Sequence, residues 1–352
     1  MAQARFYPDR RFDIVDSEPA NPGPGEVRVR VGAVGICGSD LHVYRTGQFT
    51  TRALTDPLVF GHELAGAIDA TGDDALAADG TRLTPGIPVA VEPHIPCHRC
   101  RWCRQDDPHL CPHHRFLGVP PTDGALQSTL LLPAGQCFPL PTGMSEETGA
   151  LLEPLGVAIH ATRLGGLRAG QRVGVWGLGN IGLMIARLAR LARAGLVLAC
   201  DPNPGRSRRA LSWAEADAIN DDPPASPDWA QKYTTGEGLD LAFEAAEGGE
   251  AARQAAEALA PGGTLVLIGI PEDDRIWFPH ALLRRKEINV LFARRMKHTY
   301  PEAIRLTTPP YPAIDLDALV THRFPLDQVA EAFDQASRAP EDTLKVMIHP
   351  NA

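Results

Sequence analysis

Apolar and polar residues alternate strictly over residues 26–31, Glu-Val-Arg-Val-Arg-Val, behind a Pro-Gly-Pro-Gly turn at 22–25. That period of two predicts a half-exposed strand. The run feeds residues 32–37, so Gly-Ile-Cys-Gly-Ser-Asp-Leu-His at 35–42 is expected as a loop at a strand end, where reactive side chains are commonly held. Strand-like runs follow at 67–70 and 126–132, and Ser145 opens a helical stretch carrying Glu153-Pro154 among apolar residues. From residue 172 the pattern changes. Short apolar runs at 172–176, 196–200, 217–219, 239–244, 264–268 and 288–292 alternate with helical periodicity, including a helix to about residue 194 and another at 251–259. Six strands in that order predict a doubly wound parallel sheet. The Pro-rich run 222–227 reads as a loop. Helices near 302–307 and 326–336 form a tail too short for a domain, expected to return to the first part of the chain. There is no internal repeat, and 352 residues suit two domains.

The reactive residues fall in a few places. Cys37, Ser39, Asp40 and His42 put a thiol, a hydroxyl, a carboxylate and an imidazole within six residues, the parts of a metal site with a proton exit. A lone cysteine also reads as a small buried apolar residue. His62 and Glu63 are neighbours after Gly61, where a turn would aim both inward. Cys97, Cys100 and Cys103, with Cys111 eight residues later, form a compact four-thiol lobe. Tetrahedral structural zinc is the favoured occupant and an iron–sulfur cluster the competing one. His94, His98, His109, His113 and His114 around it read as bystanders, and Cys137 and Cys200 as core. Glu153, in so apolar a setting, needs a partner or a proton unless it faces solvent. Gly177-Leu-Gly179-Asn180-Ile181-Gly182 lies between a predicted strand and helix, with Asp201 ending the next strand. That placement makes it a dinucleotide fingerprint, with the pyrophosphate at the helix N-terminus. Asp201 would accept from the ribose hydroxyls and repel a 2′-phosphate, favouring NAD over NADP. Arg206, Arg208 and Arg209 form either an anion contact or a solvated helix face.

Composition narrows the partners. A net charge of -9 argues against nucleic acid and against an anionic membrane surface. Residues 1–19 lack the apolar core of a signal peptide, and Arg187, Arg190 and Arg193 break the most apolar span, so no membrane segment is expected. Seven cysteines, four of them clustered, suit metal ligation in a reducing compartment, and the protein reads as cytoplasmic.

Together these motifs resemble the zinc-containing medium-chain dehydrogenases over essentially the whole chain, and within them the polyol (sorbitol or iditol) branch. The matching residues are Cys37-Gly-Ser39-Asp40 with His42, Gly61-His62-Glu63, the four-cysteine lobe, Leu152-Glu153-Pro154-Leu155, the glycine fingerprint with Asp201, and Thr321-His-Arg-Phe324-Pro325. The resemblance implies a mainly β GroES-like catalytic domain, 1–155 with 290–352, around a Rossmann domain, 156–289, with the active site in a cleft. It implies two zinc ions per chain: a catalytic one at Cys37, His62, Glu63 and Glu153, and a structural one at the thiol lobe. Either glutamate could complete the catalytic shell, with Asp40 orienting His62. Ser39 and His42 correspond to the proton relay, and NAD would take a hydride from a secondary alcohol of a polyol, cyclitol or sugar. Tyr44, Leu117, Arg294 and Arg295 are the expected substrate contacts. Departures at Val43, Gly156, Leu117 and Gly118 keep threonine 3-dehydrogenase and a 2,3-butanediol enzyme as rivals. A catalytically silent member of the fold is the non-enzyme alternative; a zinc-ribbon nucleic-acid binder is disfavoured by charge. The family suggests a homodimer or homotetramer.

Overall fold

The computed structural model describes the chain except residues 50–51, 223–225, 247, 272–274, 311 and 339–340. The chain divides into two compact units, Met1–Pro154 with Tyr300–Ala352, and Leu155–Thr299.

In the first unit the alternating run becomes the ten-residue strand Glu26–Gly35, burying Val27, Val29 and Val31 and leaving Arg30 exposed. It lies inside a seven-stranded sheet, flanked antiparallel by Glu63–Thr71 and by Lys345–His349, a strand from the chain's far end. Val320–Pro325 pairs parallel with Lys345–His349, so this part of the tail lies in the first unit's sheet. Residues 35–42 differ from the expected loop. Cys37 adopts extended backbone at the cap position and the helix Gly38–Thr46 starts directly after it, ending at Gly47. Its glycine and serine read as loop formers, but helix entry with Asp40 in the first turn suits them.

The second unit is a six-stranded, all-parallel sheet ordered Ala218–Asn220, Leu196–Cys200, Arg172–Trp176, Leu239–Glu244, Leu259–Leu267, Asn289–Phe292. Numbered along the chain that order is 3-2-1-4-5-6, the doubly wound Rossmann arrangement. Near-continuous burial of Val173 to Trp176 and of Val197 to Cys200 is what a sheet covered on both faces requires. The expected boundary at 289/290 cuts the edge strand Asn289–Phe292, whose pairing with Thr264–Leu267 keeps the chain in this unit to Thr299. Residues 223–225 of the expected Pro-rich loop lie outside the described residues. Among the described residues no helix is long and apolar enough to cross a membrane.

Candidate active site

Cys37, at the mouth of the helix Gly38–Thr46, is half-buried and accepts a hydrogen bond from Ser39 Oγ at 3.3 Å. His42 stands three residues beyond Ser39, on the same face of the helix. Asp40 turns inward. Its Oδ1 lies 3.5 Å from Nδ1 of His62, which enters from the turn at Gly61. That distance is too long for a good hydrogen bond, and both His62 Nδ1 and Asp40 Oδ2 are buried with no hydrogen-bond partner. Burial pushes the His62 imidazole down, yet the nearby Asp40 and Cys37 outweigh it electrostatically and hold the pKa well above the ordinary value. Orphaned polar atoms and anionic groups gathered around a buried imidazole are surroundings that fit a bound cation. Cys37 and His62 supply the thiolate and imidazole donors that zinc favours.

The two glutamates behave differently. Glu153, on the helix Glu146–Leu164, is buried, and burial pushes its carboxyl up to about 7 while His62 and Lys345 draw it down. Glu63 opens the strand Glu63–Thr71, and its Oε2 accepts from Lys345 Nζ at 2.5 Å. The carboxylate expected on the metal is thus closed in an ion pair, both side chains only 2% exposed. Among the described residues, the four lobe cysteines are the group of three or more such donors closed to within 4.8 Å. Cys37, His62, Glu63 and Glu153 are not drawn together to that degree.

Three further residues join this neighbourhood without having been picked out from sequence. Lys345 is one. Glu92 is pushed up to about 7 by burial, and Tyr300, fully buried, donates from its hydroxyl to Val91 O at 2.7 Å. Their one signal was position: Glu92 ends the run Val-Ala-Val, and Lys345 opens Val-Met-Ile.

The expected substrate contacts are placed otherwise. Tyr44 packs among Phe6, Phe12 and Phe333, and its hydroxyl donates to Asp334 at 2.8 Å, so this side chain is spent on the fold. Leu117 is 2% exposed within the first unit's core. Arg294 and Arg295 follow the edge strand of the second unit, Arg294 exposed and Arg295 half-buried.

The thiol lobe is closed by local turns. Cys100 caps the short helix Arg101–Arg104, and a 3-10 turn at Pro108–Leu110 delivers Cys111. Cys100 Sγ lies 3.4 Å from Cys103 Sγ and 3.8 Å from Cys111 Sγ. A tetrahedron with Zn–S near ~2.3 Å has edges of about 3.8 Å, so the four sulfurs fit one ion. Backbone amides, Arg99's foremost, lower the Cys97 thiol to about 6, leaving a thiolate ready at neutral pH.

The fingerprint occupies the turn between Arg172–Trp176 and the helix Asn180–Leu191. Gly179 takes the cap position of that helix and makes no side-chain cap bond. A Cβ on Gly182 would lie 1.8 Å from Gly177 O, so only glycine permits the turn to close on the helix. Asp201 is buried, oriented by Leu178 N at 2.7 Å and Asn203 N at 2.8 Å. Arg206 approaches it at 3.8 Å, and Arg206 Nε is buried without a hydrogen-bond partner. An uncapped helix start, an oriented carboxylate and an orphaned guanidinium N–H fit the pyrophosphate and ribose of a dinucleotide. Nearby, Glu244 ends its strand buried, accepts from Ala246 N at 2.7 Å, and is pushed up to about 7 by burial.

Two family models match the chain: the alcohol dehydrogenase GroES-like domain over residues 23–142 and the zinc-binding dehydrogenase over 180–308. The sorbitol dehydrogenase of Bacillus subtilis (strain 168) is 33% identical, the match covering 100% of this chain and 98% of that protein. Galactitol-1-phosphate dehydrogenase of Escherichia coli superposes with a TM-score of 0.88 at 28% identity, over 99% of this chain and 100% of that one. An alcohol dehydrogenase of Escherichia coli CFT073 solved with NADH gives 0.87 at 27%, over 99% of both chains. The chain belongs to the zinc-containing medium-chain dehydrogenases, in their polyol dehydrogenase branch.

Proposed function

We propose that this protein is an NAD-dependent zinc dehydrogenase that oxidises a secondary alcohol of a polyol, cyclitol or sugar to the ketone. The observation that carries the reading is the Ser39 hydroxyl on the Cys37 sulfur with His42 one helical turn along, a proton exit beside a metal ligand. Zinc at Cys37 and His62 supplies a Lewis acid that makes an alcohol hydroxyl acidic, and the nicotinamide supplies the hydride acceptor. Ser39 would accept the hydroxyl proton while giving up its own, which would pass by way of the cofactor ribose to His42 and outward. Asp40 orients His62 and balances its charge. Glu153, with its carboxyl near neutrality, holds or releases a proton beside the site. Asp201 receives the adenosine ribose hydroxyls and disfavours a 2′-phosphate, and the lobe cysteines hold a structural zinc with no part in hydride transfer.

The B. subtilis and E. coli relatives named for sorbitol and galactitol 1-phosphate support the polyol class. Self-association belongs to the same proposal. Among the described residues the strand Asn289–Phe292 ends its sheet with one edge unpaired, and Phe292 and Trp277 are 72% and 76% exposed, a liability that a homodimer or homotetramer would cover. Seven unpaired cysteines fit the cytoplasm.

The test is a panel of polyols, cyclitols, sugars, 2,3-butanediol and threonine with NAD+ and NADP+ in parallel, alongside zinc content. Two zinc ions per chain and polyol-dependent NADH formation are expected. Turnover of threonine or butanediol alone would replace the substrate class, and no turnover with one zinc would sink the reading.

A further inference from the structure

Glu244 is 2% exposed at the end of its strand, where an apolar residue would pack without the cost of burying a carboxylate. Its place in the sheet gives that carboxylate a use. Its cross-strand partners, Trp176 and Leu267, are the last residues of the strands on either side. In the order 3-2-1-4-5-6 the winding reverses between the first strand and the fourth, and a dinucleotide lies across that crevice. Asp201 ends the second strand, in the half that takes the adenosine. Glu244 ends the fourth, in the other mononucleotide half, which is left for the nicotinamide.

The carboxylate fixes one turn. Its Oε1 accepts from Ala246 N at 2.7 Å, while the backbone carries the ladder one step past the sheet: Ala245 N donates to Trp176 O and Ile268 N to Glu244 O, both at 2.8 Å. Glycines close on Ala245–Ala246 from both neighbouring turns. A Cβ on Gly177, where φ is +87°, would lie 2.7 Å from Ala245 C and Ala246 N, and one on Gly269 would lie 1.7 Å from Ala246 O. All four residues are half-buried, so the clamped backbone is a wall that a ligand can reach.

We propose that Glu244 is a positioning residue for the nicotinamide half of the dinucleotide, holding the Ala245–Ala246 backbone against the first fingerprint glycine so that the crevice wall stands before the cofactor arrives. This rests on the NAD-dependent dehydrogenase reading. Released from the carboxylate, the turn has to be ordered as the dinucleotide binds, and affinity falls.

Titrating the full chain with NADH by fluorescence and with AMP by calorimetry tests it, because AMP carries only the adenosine half. Glu244→Met fills a similar volume without an acceptor and is expected to fold. It should weaken NADH binding about tenfold and leave AMP binding within about twofold. Glu244→Gln keeps an oxygen for Ala246 N and should bind NADH within about twofold of the native protein. If Glu244→Met fails to fold, Gly269→Ala decides, since its Cβ would drive Ala246 O aside and should give the same loss confined to NADH. Native NADH affinity in the deciding variant overturns the proposal. Equal losses of NADH and AMP also overturn it, by making Glu244 a support of the whole unit, and Glu244→Gln as weak as Glu244→Met overturns it by making charge the agent. Native protein that binds AMP but neither NADH nor NADPH defeats the dehydrogenase reading itself, and the proposal with it.

Discussion

The thiol lobe and the Cys37–His62 site are two answers to the same task of presenting metal donors. The lobe draws its four sulfurs from residues 97–111 and closes them with one short helix and one 3-10 turn. The second site draws on a strand end, a turn, a long helix and a strand from the far end of the chain. Local donors need only local turns. Distant donors need a frame, and here the sheet supplies it, with Glu26–Gly35 lying between Glu63–Thr71 and Lys345–His349. The lobe should therefore matter to stability, and the assembled site to chemistry.

Three substitutions can break that contrast, and a fourth sharpens it. Cys37→Ser should lower kcat/KM by roughly 10³-fold or more, since the Lewis acid is worth several kcal/mol, while zinc falls from two ions to one and the melting temperature barely moves. A large loss of stability instead would make this site structural as well. Cys103→Ser should show the reverse pattern: activity per folded molecule retained at low temperature, with the melting temperature lower by roughly 6–12 °C, the shift about 3 kcal/mol gives in a unit of this size. Calorimetry with zinc analysis reads both. Asp40→Asn keeps shape but removes the charge facing His62, and metal affinity measured by competition should fall about 10–100-fold; unchanged affinity would reduce Asp40 to packing.

The smallest effect comes from the other unit. Glu244 is as buried as Glu63 but meets backbone amides where Glu63 meets a lysine. Its carboxyl is raised to about 7, so it costs no stability below about pH 4.5 and destabilises the fold progressively as pH rises through 7, by at most about 3 kcal/mol. Glu244→Gln should thus raise the melting temperature at pH 8.5 relative to the native protein by a few degrees more than at pH 5. An equal difference at both pH values would show that amides alone settle this charge.

What could be read from the sequence follows the same division. The alternation at Val27, Val29 and Val31, the glycine turn before Asn180 and the cysteine spacing are each contained in a short window, and each gave its element and its chemistry directly. Helix Gly38–Thr46 was hidden because its first residues resemble a loop. Tyr44 and Glu63 were read from their neighbours, whereas their partners lie 290 and 282 residues away, at Asp334 and Lys345. No periodicity within a window can reveal such pairs, because register across a sheet decides them.

Strand Lys345–His349 also imposes an order of events on a growing chain. Residues 155–299 are contiguous and can fold as soon as they leave the ribosome, N-terminal units generally folding first but only once complete. Glu63, synthesised long before, must wait for Lys345, and until then the sheet lacks both the strand beside Glu26–Gly35 and the counter-charge for a carboxylate it is meant to bury. The nascent protein is thus able to build its nucleotide-binding half before the sheet around Glu26–Gly35 has its full set of strands.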